Sequence, residues 1–69
     1  MTESDLRAEI VWWGRSLFDR GLTSGTSGNI SARCGDGFLA TPTNSCLGRL
    51  DPARLSRLDA DWRLIDGDP

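Results

Sequence analysis

The chain has 69 residues, 38% hydrophobic and 26% charged, with ten acids, eight basic residues and no histidine. That balance fits one small globular domain rather than a disordered segment, and a net charge of −2 with scattered arginines argues against nucleic acid, whose binding draws on phosphate neutralisation. No apolar run approaches the ~20 residues that cross a bilayer, and two cysteines without a signal-peptide pattern point to reduced thiols in a cytoplasmic protein.

Thr2 to Arg20 reads as a helix. Thr2 with Asp5 fits a capping box, in which each side chain satisfies an orphan backbone N–H. Leu6, Ile10, Trp13 and Leu17 recur at helical spacing and define one face, widened by Val11 and Phe18. Arg15 and Asp19 stand four apart as an ion pair, Arg20 meets the negative end of the helix, and Gly21 supplies the left-handed residue that ends it. Gly14 costs a helix interior roughly 1 kcal/mol against alanine, so a close neighbour is expected there. Trp12 falls among Asp5, Ser16 and Asp19. It either lies flat over neighbouring stems or meets another subunit or another part of the protein.

After a glycine-rich loop, Ile30, Ala32 and Cys34 alternate with Ser31 and Arg33, the period of a half-buried strand. Gly35-Asp36-Gly37 reads as a hairpin turn and Phe38–Thr41 as the returning strand, stopped by Pro42. Asp51 before Pro52 predicts a capped helical turn to about Leu55. Arg57–Asp59 and Arg63–Asp66 read as two further strands around Ala60-Asp61-Trp62. These connections are too short for crossover helices, so the expected class is α+β, a helix followed by antiparallel strands.

Two loops flank the hairpin. Gly21–Asn29 is rich in glycine and hydroxyls but fits neither G-x-x-x-x-G-K-[ST] nor G-x-G-x-x-G. Thr41–Cys46 holds a proline turn with hydroxyl and amide side chains. Taken alone, each reads first as an ordinary connection and second as a set of neutral donors for an anion, and the hairpin would bring both to one sheet edge. Cys46 has no His or Lys nearby to lower its pKa, which disfavours a nucleophile. Two cysteines and no histidine fall short of the ligands zinc prefers.

Taken in order, Gly25-Thr26-Ser27-Gly28-Asn29-Ile30-Ser31-Ala32-Arg33, Asp36–Thr43 and Leu50 onward to Gly67-Asp68 resemble the N-terminal part of the class II aldolase/adducin family. The run Cys46-Leu47-Gly48-Arg49-Leu50-Asp51-Pro52 is similar to its 3-oxo-tetronate 4-phosphate decarboxylase branch. The resemblance implies that residues 1–69 are the N-terminal portion of one domain, an α/β/α sandwich around an antiparallel sheet, in a cytoplasmic homotetramer. It implies that Gly28, Asn29, Thr43 and Asn44 hold the phosphate of a sugar-acid phosphate. A divalent metal, expected to be zinc, would serve as Lewis acid toward the keto oxygen and the enediolate left by departing carbon dioxide.

In the family the catalytic acid and the metal-holding histidines follow further along, so residues 1–69 alone are expected to be inactive, with neither catalytic residue nor metal ligand. Sugar-phosphate aldolase or 4-epimerase activity, or a non-catalytic adducin-like assembly role, are the alternatives. Trp62 stands where relatives commonly carry a turn glycine, which predicts a distorted last hairpin.

Overall fold

The computed structural model describes residues 1–69, and its first element, α1, spans Glu3–Asp19. The capping box closes as predicted: Asp5 N–H donates to Thr2 Oγ1 at 3.0 Å and Thr2 N–H to Asp5 Oδ2 at 3.2 Å. At the other end Gly21 takes φ +73°, Gly21 N–H donates to the Phe18 carbonyl and Leu22 N–H to the Leu17 carbonyl, both at 3.0 Å. This pair of bonds satisfies carbonyls that a bare helix end leaves open. Arg15 pairs with Asp19 at 3.1 Å, and Arg20 Nε donates to the Ser16 carbonyl.

The buried line of α1 runs through Ile10 and Gly14, with Leu6, Leu17 and Phe18 half-buried beside it. Trp13 does not belong to it. It is 45% exposed, its ring edge-on to Trp12 at 4.9 Å and its Nε1 donating to Glu9 Oε1 at 3.3 Å. Glycine carries no apolar signal, so the side of the helix that approaches its neighbour most closely was invisible to a count of hydrophobic side chains. A Cβ on Gly14 would lie 2.6 Å from the Leu47 carbonyl oxygen and 2.9 Å from Leu50 Cδ1. The close neighbour expected at Gly14 is thus a 3₁₀ turn, Leu47–Arg49, which the sequence reading did not anticipate.

The four strands, β1 (Ser31–Cys34), β2 (Gly37–Ala40), β3 (Ser56–Leu58) and β4 (Leu64–Asp66), form one antiparallel sheet in chain order. The turn between β1 and β2 is only Gly35-Asp36: Cys34 pairs with Gly37, which therefore belongs to the strand. Gly35 adopts φ +57° at the first central position, as a type II′ hairpin loop requires. Between β2 and β3 a second 3₁₀ turn, Pro52–Arg54, is capped by Asp51, whose Oδ1 accepts from Ala53 N–H at 2.9 Å.

The helix packs on one face of the sheet. Ile10, Cys34, Leu39 and Leu55 form the core, with Leu6, Ile30, Ala32 and Leu50 against it. Leu39, Leu47 and Leu55 are the largest fully buried side chains, each contributing roughly 1.5–3 kcal/mol. A polar joint locks the start of the helix to the sheet: Glu3 accepts from Arg7 Nε at 3.0 Å and Arg57 Nε at 3.3 Å, while Arg57 Nη1 donates to the Phe38 and Leu58 carbonyls. Arg7 Nη1 also reaches the Pro52 carbonyl at 2.6 Å.

The helix start is pH-sensitive with a definite sign. The Arg7 guanidinium, with Arg57 behind it, holds the Glu3 carboxyl below its ordinary value, and the Thr2 backbone N–H does the same for Asp5. Groups with depressed folded pKa values stabilise above the ordinary carboxylate range and lose that contribution as pH falls through the folded values. Amide protection factors in the first turn should therefore drop below about pH 4, before those of Ile10 to Leu17. Equal loss along the whole helix would contradict this. Gly14→Ala should destabilise the chain by about 1–3 kcal/mol in denaturant unfolding although alanine is the better helix former, because its methyl meets backbone. A stabilised variant would refute the close approach.

Candidate anion-binding site

A reciprocal clasp closes the open end of the β1–β2 hairpin. Thr41 N–H donates to the Ile30 carbonyl at 2.9 Å, and Ile30 N–H donates to Thr41 Oγ1 at 3.0 Å. Asn29 and Pro42 are the next residues outward on either strand, so both loops leave the sheet at the same end. Gly28 and Asn29 on one loop and Thr43 and Asn44 on the other therefore depart from the same end of the hairpin.

The first loop is ordered by its own serines. Ser27 N–H donates to the Ser24 carbonyl, Ser24 N–H to Ser27 Oγ, and Ser27 Oγ–H to the Ser24 carbonyl at 2.7 Å. Gly25 and Gly28 take φ +56° and +80°, and a Cβ at Gly28 would meet Thr23 Cγ2 at 3.2 Å and Leu47 Cδ1 at 3.4 Å. Thr23 Oγ1 is buried without a hydrogen-bond partner. Asn29 is exposed, and neither its backbone N–H nor its amide side chain is engaged within the fold. It is free to donate outward.

The second loop offers less backbone than its composition suggested. Thr43 N–H is taken by the Pro69 carbonyl at 2.9 Å and Ser45 N–H by the Pro42 carbonyl at 3.1 Å, with Ser45 Oγ also on Pro42. What remains for a ligand is the Thr43 hydroxyl with the N–H and side-chain amide of Asn44, which holds φ +60°. These two residues line a cleft of about 420 Å³ together with Ser45, Arg49, Arg54 and Asp68. Gly28 and Asn29 are not part of its wall.

Arg54 and Asp68 pair across the cleft floor at 2.7 Å, and Asp68 is pinned further by its N–H on the Arg54 carbonyl at 3.1 Å and by Ser56 Oγ on its own carbonyl. Arg49 makes no ion pair. The run from Cys46 to Pro52 served as a family marker, and its basic side chain in the cleft, Arg49, was passed over. The available signal was an arginine in a glycine-containing stretch directly after the hydroxyl- and amide-bearing loop Thr41–Cys46. The Cys34 and Cys46 thiols are both free. Nowhere do three His, Cys, Asp or Glu side chains gather, so the residues of this chain do not fit a metal ion, and no chemical step is assigned to one here. No helix is long and apolar enough to cross a membrane.

The pattern of the Class II Aldolase and Adducin N-terminal domain matches residues 8–69. The chain belongs to the class II aldolase and adducin family. It is 52% identical over 67 residues to the 3-oxo-tetronate 4-phosphate decarboxylase of Cupriavidus necator, covering 97% of this chain and 31% of that relative. It is 49% identical over 67 residues to the Escherichia coli K12 protein of the same name, covering 96% and 32%. The crystal structure of YgbL from Klebsiella pneumoniae, described as a candidate aldolase, epimerase or decarboxylase, superposes with a TM-score of 0.94 at 46% identity, covering 99% of this chain and 33% of that one. The chain spans about a third of the length of these relatives.

Within this class II aldolase domain the clasp is the element on which the loop pairing depends. Thr41→Val should leave Ile30 N–H without an acceptor and cost about 1–3 kcal/mol in denaturant unfolding, with faster amide exchange at Ile30, while Thr41→Ser should keep most of the stability. Valine behaving like serine in both measurements would show that the hydroxyl does not hold the loops together.

Proposed function

We propose that this chain supplies the phosphate-holding part of a lyase acting on a sugar-acid phosphate, with decarboxylation of 3-oxo-tetronate 4-phosphate as the reaction. The observation that carries the reading is the pairing, at one end of a hairpin, of two loops whose outward donors are unspent, in a chain 52% identical to a relative bearing that name. The clasp fixes where the loops emerge, and Asn29, Thr43 and Asn44 offer neutral donors there, with Gly28 giving backbone access.

The chemistry fits that division of labour. A carboxylate β to a ketone leaves as carbon dioxide when its C–C bond breaks and the electron pair moves onto the carbonyl. That step needs a group that stabilises the developing oxyanion; in the whole protein a divalent metal, zinc being the expected ion, would supply it, held by residues other than these 69. The 69 residues instead bind and orient. Holding the phosphate at a fixed distance from the reacting carbon lowers the entropic part of the barrier. A homotetramer in the cytoplasm completes the reading of the whole protein.

The test grafts residues 1–69 in place of the corresponding third of the Escherichia coli relative. The chimera should release carbon dioxide from 3-oxo-tetronate 4-phosphate, whereas the 69-residue chain alone should give no turnover. Asn29→Ala and Thr43→Val in the chimera should each raise KM by about 10–100-fold, the worth of a hydrogen bond to a charged group. A folded chimera that cleaves or epimerises sugar phosphates but leaves the keto acid intact would overturn the reaction. Unchanged KM in both variants would overturn the phosphate site.

A further inference from the structure

Arg49 is the one charged group in the cleft with no partner in the fold. Arg54 is neutralised by Asp68 at 2.7 Å, and the Asp51 carboxylate is turned onto the Ala53 N–H at 2.9 Å. The Arg49 side chain makes neither ion pair nor hydrogen bond, although four other arginines of this chain each meet a carboxylate. An unused guanidinium on a floppy segment would mean little. This one is held firmly at its backbone. Leu47 is 1% exposed beneath Gly14, Gly48 packs so closely on Phe18 that a Cβ would lie 2.6 Å from the ring, and Arg49 N–H donates to the Cys46 carbonyl at 3.0 Å.

Resting on the phosphate-site reading above, we infer that Arg49 is a specificity-determining residue that binds the substrate's phosphate across the cleft from Thr43 and Asn44. Neutral donors alone leave the charge of a dianion unopposed, and this chain carries a net −2. A guanidinium fork matches two phosphate oxygens and forms charge-assisted bonds roughly twice as strong as neutral ones. The substrate's other anionic group, its carboxylate, is a poor partner for Arg49. That charge disappears as carbon dioxide leaves, so a guanidinium bound to it would favour the ground state over the transition state and slow the reaction. The phosphate keeps its charge throughout, and a cation upon it strengthens binding without opposing the chemistry.

The experiment titrates the 69-residue chain with inorganic phosphate and, separately, with glycolate as a carboxylate without phosphate, reading amide and Arg side-chain resonances. The expected result is phosphate-dependent movement at Thr43, Asn44 and Arg49, with affinity weakened about tenfold or more in Arg49→Met and partly kept in Arg49→Lys. Arg49 is exposed, so both variants should retain the wild-type spectrum away from the cleft. If Arg49→Met binds phosphate as the wild type does while Thr43→Val does not, the assignment to Arg49 falls and the loop site survives. If Arg49→Met loses glycolate binding but keeps phosphate, the assignment to the phosphate is wrong. If phosphate moves no resonance of the wild-type chain, both the inference and the phosphate-site reading fall together.

Discussion

The approach of the Leu47 carbonyl to Gly14 is the contact on which the geometry of the cleft depends. It brings a 3₁₀ turn against the middle of α1 at a distance that no side chain larger than hydrogen would allow. The glycine costs the helix roughly 1 kcal/mol. A methyl forced against backbone costs more, because neither a helix nor a buried carbonyl can retreat as a flexible side chain can. The same turn is gripped twice more, by Phe18 over Gly48 and by Gly28 beside Leu47 Cδ1. Leu47 therefore sits between the helix and the first loop, while the residues on either side of it, Asn44 to Cys46 and Arg49, shape the cleft. One packed leucine couples both loops to the helix.

That coupling explains how so small a chain holds polar loops in place. The core proper is four residues, and at the end of the sheet that carries the loops only Ile30 packs against it. Order there comes from local hydrogen bonds instead: the Ile30–Thr41 clasp, the Ser24–Ser27 turn and the Thr43 N–H on Pro69. Each of these uses donors that the composition of the loops advertised as available. Holding the loops in place and binding an anion would draw on the same hydroxyls and amides, and the structure divides them. Serines and Thr41 are spent internally, while Asn29, the Thr43 hydroxyl and Asn44 face outward.

Much of the fold was legible because its signals are local. The Thr2–Asp5 box, the Gly21 stop, the strand alternation and the Asp51-Pro52 cap depend on neighbours within four or five residues, and each formed within a residue or two of its expected place. The misreadings share a different cause. Trp13 was placed in the core because helical spacing counts apolar side chains, whereas the helix is drawn sideways by a glycine. The Leu47–Arg49 turn carries no periodicity or cap, since no side chain caps it, and it exists because tertiary contacts press it into shape. The candidate site divides in the same way. Residue types and loop placement could be read, but the Thr43 N–H is taken by Pro69 at the far end of the chain, and Arg49 is left unpaired where Asp68 goes to Arg54 instead.

The last hairpin shows a local rule broken and offset. Trp62 takes φ +63°, where an L residue pays about 1–2 kcal/mol that glycine would not. Its ring lies flat on Phe38, centroids 4.1 Å apart and planes at 11°, a contact worth about 0.5–1.5 kcal/mol beyond the area it covers. The two terms nearly cancel, and the apolar area that the two rings cover on each other tips the balance toward tryptophan. A glycine would relieve the backbone and uncover Phe38 on the sheet face opposite α1, where Leu64 is already exposed. The expected distortion is therefore confined to φ and to the β3–β4 register, which shifts between Arg57 and Leu58 while the strands still pair.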